Sequence, residues 1–350
     1  MFLALKRSMR FPVFEESLSK LPDQMAAVFS DEKNLIIKPS VKNIDKIVVN
    51  GMGGSNLGAE IIKSIWQNKL KIPLIIEPGY ELNGHVNKKT LYILSSYSGT
   101  TEEVLVAYDK AKKRGAQLLA LTGDKNSTLF KKAEKDNISR FCFSTKTNPS
   151  NQPRAGLGLS LASFLLILKK LGVIKLPDKE IKDLIKQVKK SNKDLKNNSS
   201  SIKKLAKKLS DKETILIGGP LFEGNLKTLR NQWCENAKNY ASYLVLSEMN
   251  HFAMEGLKYP SSNKKRLAAL FFESSLNDKR INKRLDLTKE VIKKQNITVC
   301  SYSLVGSNAL IQALVMLQLG GWLTYYLALE NKVNPMEIPW VNWFKNKLSS

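Results

Sequence analysis

Hydrophobic residues follow two different periods in the first half of the chain. Short runs rich in valine, isoleucine and leucine indicate buried strands, and between several of them apolar residues recur every three or four positions, as in amphipathic helices. Strands that alternate with helices predict a doubly wound α/β unit, in which helices cover both faces of a parallel sheet of about five strands. The predicted strands cover residues 47–49, 72–76, 91–94, 117–121 and 140–143, and the predicted helices cover residues 57–66, 102–113 and 127–134.

The strand-and-helix pattern begins again in the second half. A strand at residues 214–219 runs into glycines and precedes a helix at residues 222–240, much as the strand at residues 47–49 runs into the glycines of residues 51–58. This similarity predicts two related α/β units, each with a parallel sheet of the five-stranded type. The remaining predicted elements are strands at residues 243–246, 267–272 and 297–302 and a final helix after Pro335.

A lysine-rich region separates the two units. Residues 169–213 hold fifteen lysines and six acidic residues, and their apolar positions recur at helical spacing. We interpret the region as amphipathic helices with a solvated basic face, and a binding surface is the alternative. We therefore divide the chain into an N-terminal unit (residues 1–153), a helical connector (residues 154–213) and a C-terminal unit (residues 214–350).

Residues 308–329 carry no charge, are mostly apolar and are long enough to cross a membrane. Gln312, Gln318 and Thr324 interrupt this stretch, which favours a helix buried between packed layers over a membrane span. Because the stretch is longer than one small domain usually hides, it also favours assembly with a second copy of the chain.

Composition narrows the function and the compartment. The formal net charge of +25 arises from 47 lysines and nine arginines against 31 acidic residues. Arginine reads guanine edges and phosphates with paired hydrogen bonds, so a lysine-dominated chain does not favour a nucleic-acid groove, although its positive field attracts small anionic substrates. The widely spaced Cys142, Cys234 and Cys300 form no CxxC pair and favour a reducing compartment, the cytoplasm.

Two loops at predicted strand ends have the composition of an anion site. The first, residues 51–58, is rich in glycine, which lets main-chain N–H groups approach a ligand, but its spacing matches neither a dinucleotide fingerprint nor a P-loop. The second, residues 95–101, has serine or threonine at five of seven positions, directly before a predicted helix. Hydroxyls, main-chain amides and a helix N-terminus can hold a phosphate without arginine. An ordinary tight turn and an ordinary N-cap are the alternatives for the two loops.

These loops resemble the sugar-phosphate-binding loops of SIS (sugar isomerase) domains. Further motifs follow in the order expected for the bifunctional phosphoglucose/phosphomannose isomerases, and the resemblance extends from about residue 21 to residue 348. The motifs are residues 148–158 (NPSNQPRAGLG), residues 231–238 (NQWCENAK), residues 247–251 (SEMNH) and the ending at residues 326–345.

The resemblance implies an enzyme with two SIS-type α/β units. It would isomerise glucose 6-phosphate and fructose 6-phosphate, and also mannose 6-phosphate, through a cis-enediol(ate). No metal or organic cofactor is implied, and the expected assembly is a homodimer in which His251 serves the partner's active site. By the resemblance, Gly54, Ser55, Ser96, Ser98 and Thr101 hold the substrate phosphate, Arg154 stabilises the enediolate, Glu235 is the base, His251 opens the sugar ring, and Lys345 assists ring opening.

Aldose–ketose exchange needs these types of residue. A base must move a proton between C1 and C2, a cation must balance the charge on the intermediate's oxygens, and a carboxylate base works best when burial raises its pKa. Without the resemblance, Glu235 would be interpreted as a surface acid paired with Lys238 or Asn239. His251 would be a core or turn residue, and Arg154 would be a helix cap.

The chain departs from the family pattern at two places. Thr100 stands where family members usually have asparagine. After His251 the chain has Phe252 and Ala253, whereas family members tend to have polar or acidic residues there. The expected support of His251 for ring opening is therefore weaker. His85 matches nothing in the family pattern and has no assigned role. The competing hypothesis is a non-catalytic SIS sensor of sugar phosphates, which needs only the phosphate loops and not the four catalytic residues.

Overall fold

The computed structural model describes residues 10–38 and 41–348 of the chain. Within these ranges, helices pack on two parallel β-sheets. The strands are β1 (Lys46–Gly51), β2 (Leu74–Ile76), β3 (Thr90–Ser96), β4 (Gln117–Thr122), β5 (Ser139–Cys142), β6 (Glu213–Gly218), β7 (Ala241–Val245), β8 (Leu267–Glu273) and β9 (Thr298–Ser303). The helices are α1 (Pro12–Ser19), α2 (Leu21–Ser30), α3 (Gly54–Trp66), α4 (Glu102–Lys113), α5 (Thr128–Lys135), α6 (Leu157–Lys170), α7 (Asp178–Asn197), α8 (Ser199–Leu209), α9 (Glu223–Ala237), α10 (Ala253–Gly256), α11 (Asn263–Arg266), α12 (Lys279–Lys294), α13 (Ala309–Glu330) and α14 (Pro339–Leu348).

The first sheet confirms the predicted doubly wound unit. Its strands lie in the order β2-β1-β3-β4-β5 and all run parallel. Val49 and Ile93 belong to the main core together with residues of α3 and α6, whereas Val48 and Tyr92 belong to a second core with residues of α4 and α5. Because the strand order reverses between β1 and β3, the carboxyl ends of these two strands flank the usual ligand position of such sheets.

The second sheet repeats this arrangement with one strand fewer. Its strands lie in the order β7-β6-β8-β9, and all run parallel. Strand β6 is central and is followed by α9, just as β1 is followed by α3, which agrees with the prediction of two related units. Within the described residues this sheet has four strands rather than five, because the chain turns into α13 after β9 instead of adding an outer strand.

Helix α13 is a core helix. It is long and apolar enough to cross a membrane, yet 94% of its most apolar window is buried inside the protein, where the helix contacts α7, α8 and α9. Two of its polar side chains donate hydrogen bonds there: Gln318 Nε2 to the carbonyl of Val188 at 3.1 Å and Thr324 Oγ1 to the carbonyl of Gly320 at 2.7 Å. The buried Gln318 Oε1 accepts no hydrogen bond from the described residues. The predicted buried helix is confirmed, but the argument that this stretch needs a second copy to cover it is wrong.

The lysine-rich region forms α7 and α8, which pack against α13. Ile181, Val188 and Ile202 are buried on their inner faces, and every lysine of α7 is exposed. This arrangement agrees with the predicted amphipathic helices and leaves the positive charge in solvent.

Candidate active site

A glycine turn connects β1 to α3. Gly53 has a φ of 53°, in the left-handed region that favours glycine. A Cβ on Gly51 would lie 2.8 Å from the carbonyl oxygen of Ser95, and a Cβ on Gly54 would lie 3.2 Å from the Cβ of Pro153, the residue before Arg154. The lack of side chains at these positions therefore lets the turn approach both the end of β3 and the segment that carries Arg154.

The serine-rich loop connects β3 to α4 and is closed by its own hydroxyls. Ser96 Oγ and Thr101 Oγ1 form a hydrogen bond of 2.7 Å, and Ser96 Oγ also accepts from the main-chain nitrogen of Gly99 at 2.9 Å. Thr101 occupies the N-cap position of α4 but makes no side-chain cap hydrogen bond within the described structure. The interpretation of Thr101 as an ordinary N-cap therefore does not apply. The first turn of α4 faces the loop with N–H groups, which favour an anion.

The two loops are joined through Ser55. Its Oγ accepts from the main-chain nitrogen of Tyr97 at 3.0 Å, and its carbonyl accepts from Ser95 Oγ at 2.7 Å. Ser98 and Thr100 are exposed, and their hydroxyls lie 3.0 Å apart. The structure thus gathers the predicted phosphate-binding residues at the carboxyl ends of β1 and β3, and Thr100 keeps a polar group where asparagine was expected.

Arg154 is a buried junction between the two units and the C-terminal part of the chain. Its side chain is 3% exposed, and burial lowers the pKa of the guanidinium. Nε donates to Asn236 Oδ1 at 2.9 Å, and Nη1 donates to Gln152 Oε1 at 2.7 Å. Nη2 donates to the carbonyls of Pro335 and Met336 at 2.7 and 2.9 Å. The interpretation of Arg154 as a helix cap does not fit these contacts.

Glu235 lies on α9 next to this guanidinium. Its Oε2 is 3.5 Å from Arg154 Nη1, and its side chain is 32% exposed. Burial raises the pKa of the Glu235 carboxyl, while the charges of Arg154, Lys238 and Lys345 act in the opposite direction. A partly exposed carboxylate with a raised pKa, facing a buried cation, has the properties of a general base beside an oxyanion site.

Two neighbours of Glu235 have contacts that the sequence did not reveal. Asn236 is fully buried. Its Nδ2 donates to Thr324 Oγ1 at 2.9 Å, and its Oδ1 accepts the hydrogen bond from Arg154 Nε. Lys238 Nζ donates to the main-chain carbonyl of Glu235 at 2.9 Å, not to its carboxylate as the surface-acid interpretation required. Both residues lie in the motif at residues 231–238, and membership in this motif was the only feature of the sequence that pointed to them.

Lys345 and His251 differ in their relation to Arg154 and Glu235. Lys345 lies on the exposed helix α14, and its charge lowers the pKa of the Glu235 carboxyl. His251 ends a 3₁₀ turn after the edge strand β7 and is exposed. Among residues 10–38 and 41–348, no hydrogen bond or ion pair joins its imidazole to Arg154, Glu235 or any other residue.

The described part of the chain gathers no group of three or more histidine, cysteine, aspartate or glutamate side chains that could hold a metal ion.

Two family models match the chain. Residues 40–150 match the model described as SIS domain, and residues 198–348 match the model described as bacterial phospho-glucose isomerase C-terminal SIS domain. The first range contains both anion loops, and the second contains Glu235, His251 and Lys345.

Individual relatives match nearly the whole chain. The bifunctional phosphoglucose/phosphomannose isomerase of Caldicellulosiruptor bescii is 34% identical over 347 residues, which covers 95% of this chain and 98% of that protein. The protein of the same name from Thermoplasma volcanium is 29% identical over 342 residues, covering 96% of this chain and 99% of that protein. The C-terminal domain of glucosamine-fructose-6-phosphate aminotransferase from Francisella tularensis shares the fold, with a TM-score of 0.68, 17% identity and coverage of 95% and 99%.

Proposed function

Since the chain belongs to the bifunctional phosphoglucose/phosphomannose isomerase family and is a sugar-phosphate isomerase, we propose that it interconverts glucose 6-phosphate and fructose 6-phosphate reversibly. Mannose 6-phosphate is the second aldose in this proposal. The observation that carries this proposal is the Glu235 carboxylate, which has a raised pKa and lies 3.5 Å from a buried arginine. The glycine turn of the phosphate loops adjoins that arginine.

The proposed mechanism is a proton transfer through a cis-enediolate. Glu235 removes the proton from C2 of the open-chain aldose, the electron pair of that bond forms a C1–C2 double bond, and the former carbonyl oxygen O1 takes the negative charge. Arg154 balances this charge through Nη1, the nitrogen that faces Glu235. A proton then moves from O2 to O1, and the protonated Glu235 returns its proton to C1, which gives the ketose. These steps need no metal or organic cofactor.

We assign the substrate phosphate to Gly54, Ser55, Ser96, Ser98 and Thr101. Replacing Ser98 and Thr101 together by alanine should weaken the binding of a non-reacting phosphosugar, at a cost of about 1.5–3 kcal/mol for each lost hydrogen bond to the charged phosphate. Calorimetric titration measures this change, with Ser200→Ala on α8 as a remote hydroxyl control. Unchanged affinity in a double variant that unfolds at the normal temperature would contradict the assignment.

We also propose a homodimer in which His251 opens the sugar ring in the partner's site, with Lys345 assisting. The support is the apolar surface of α14, which has no buried residue and exposes Trp340 by 80% and Trp343 and Phe344 by 57% each. Phe252, next to His251, is 56% exposed. Exposed apolar surface of this kind marks protein interfaces.

Light scattering should therefore show a dimer at micromolar concentration. We expect an interface well above about 1,000 Å², the size of a credible specific contact. A monomer under these conditions would count against both the dimer and the shared His251.

The division into residues 1–153, 154–213 and 214–350 remains our proposal. It is supported by the fact that each sheet lies within one unit, apart from Glu213, the first residue of β6. The cytoplasm is the proposed location, on the basis of the three unpaired cysteines.

The competing function is a sensor that binds sugar phosphates without converting them. Incubation of the chelator-treated protein with fructose 6-phosphate, followed by identification of the aldoses formed, separates the two. We expect both glucose 6-phosphate and mannose 6-phosphate. Binding of fructose 6-phosphate without formation of either aldose would favour the sensor.

A further inference from the structure

The helix that carries Glu235 ends at a lysine with an unusual backbone. Helix α9 stops at Ala237, and Lys238 adopts a left-handed conformation with a φ of 50° while its N–H bonds back to the carbonyl of Trp233. Such a conformation is uncommon for a residue other than glycine. From this position the Lys238 ammonium spans two carbonyl oxygens, that of Glu235 at 2.9 Å and that of Asn334 at 2.5 Å.

The second of these carbonyls belongs to residues 331–337, which we call the C-terminal segment. Three side chains hold this segment against α9 and the buried arginine. Arg154 binds the carbonyls of residues 335 and 336, Lys238 binds that of residue 334, and Asn331 Nδ2 donates to the carbonyl of Ala237 at 3.0 Å. The segment is therefore attached to the two elements that carry the proposed base and the proposed enediolate cation.

The C-terminal segment leads directly into α14, the helix that carries Lys345. No residue of α14 is buried, so the core of the described chain does not fix the position of this helix. The charge of Lys345 nevertheless acts on Glu235. The C-terminal segment thus connects the helix that carries Lys345 to the helix that carries the proposed base.

We propose that Lys238 is a positioning residue that ties the end of α9 to the C-terminal segment and so sets Lys345 against Glu235. This inference rests on the function proposed above, because it gives Glu235 the role of base. Lys238 contacts neither loop of the phosphate site, so its effect falls on the chemical step and not on substrate capture.

The charges around Lys238 come from three elements. Arg154 in the turn before α6 opposes its protonation, whereas Glu337 in the C-terminal segment and Glu235 on α9 favour it. Burial together with Arg154 lowers the pKa of the Lys238 ammonium to about 8, so it still carries its proton at neutral pH. The positive charge in turn lowers the pKa of Glu235.

Lys238→Met keeps an unbranched side chain but removes the donor and the charge, and Lys238→Arg keeps both. We expect Lys238→Met to lower kcat by about 10- to 100-fold with KM changed by less than about threefold, because catalytic groups lose their alignment while the phosphate loops are untouched. Its acidic limb of kcat/KM should move to higher pH, because the loss of a cation near the base raises the pKa of Glu235. Lys238→Arg should stay within about threefold of the unchanged protein and show no such shift.

Amide hydrogen exchange of residues 331–348 tests the attachment without relying on activity. We expect faster exchange there in Lys238→Met and normal exchange in Lys238→Arg. The matched control is Lys212→Met, since the Lys212 ammonium also binds a main-chain carbonyl, that of Lys265 at 2.6 Å. Normal exchange in Lys238→Met, failure of Lys238→Arg to restore exchange, or equal losses in the control would overturn the proposal. A protein with no isomerase activity would instead refute the proposed function, and the exchange measurement would still decide the role of Lys238.

Discussion

Glu235→Gln is expected to lower turnover by a factor of about 10²–10⁴, the usual contribution of a general base. Glutamine keeps the shape of the side chain and its ability to hydrogen-bond, but it cannot accept the substrate proton. Binding of a non-reacting phosphosugar should change little, because the loops at residues 51–58 and 95–101 are untouched. Steady-state kinetics and calorimetric titration measure the two quantities separately.

A matched control is available on the same helix. Glu223 lies in the first turn of α9 and is exposed, so Glu223→Gln should leave turnover unchanged. The pH profile adds a second check on the assignment of the base. Because burial raises the pKa of Glu235, activity of the unchanged protein should fall as the pH drops through that raised pKa, where the protonated carboxyl can no longer take a proton. Near-normal turnover in Glu235→Gln would mean that the base lies elsewhere.

Arg154→Met is expected to damage both stability and activity. The guanidinium donates to the side-chain oxygens of Gln152, Glu235 and Asn236 and to two carbonyls, and its removal leaves these buried or partly buried acceptors without this donor, at a cost of about 3–5 kcal/mol in the free energy of unfolding. Turnover should fall by about 10²–10³-fold or more, since the enediolate loses its charge partner. Chemical denaturation and steady-state kinetics measure the two effects.

Arg154→Lys separates charge from geometry. A single ammonium cannot reach acceptors on Asn236, Gln152 and the C-terminal segment at once, so we expect it to recover little of the lost stability. Arg280→Met serves as the control, because the Arg280 side chain is 89% exposed and, among residues 10–38 and 41–348, pairs only with nearby Asp278. An Arg154→Met variant as stable as this control would contradict the role of Arg154 as a buried junction.

The strands were predictable because each contains a short run of apolar, aromatic or β-branched residues between turn residues, although polar residues interrupt β5, β7 and β9. All nine strand positions were indicated by such runs, and α13 could be assigned to the core because its glutamines and threonine need partners that lipid does not supply. Helix α12 was not predicted, although it is amphipathic: its buried residues Leu285, Thr288 and Ile292 recur at helical spacing. Helices α1 and α2 were likewise missed.

The candidate site was only partly predictable for a different reason. The loops at residues 51–58 and 95–101 are local features, since each combines the end of one strand with the turn that follows. A single stretch of sequence is therefore enough to identify each loop. The surroundings of Arg154 are not local, because its carbonyl partners lie 181 and 182 positions further along the chain. Asn236 and Lys238 gain their importance only when the C-terminal segment folds back on α9. No periodic pattern of apolar residues in the sequence predicts this contact between the C-terminal segment and α9.

The most direct test of the central claim is hydrogen exchange at C2 during the reaction in deuterated water. The protein is incubated with fructose 6-phosphate, and the products are identified by mass spectrometry and by NMR. We predict that glucose 6-phosphate and mannose 6-phosphate both form and that both carry deuterium at C2, because the proton held by Glu235 exchanges with solvent before it is returned. Fructose 6-phosphate that binds but remains unconverted and unlabelled would contradict the proposed isomerase. Aldoses that form without any deuterium at C2 would mean that the transferred hydrogen never exchanges with solvent on Glu235, as in a direct hydride shift from C1 to C2, and would contradict the proton-transfer mechanism.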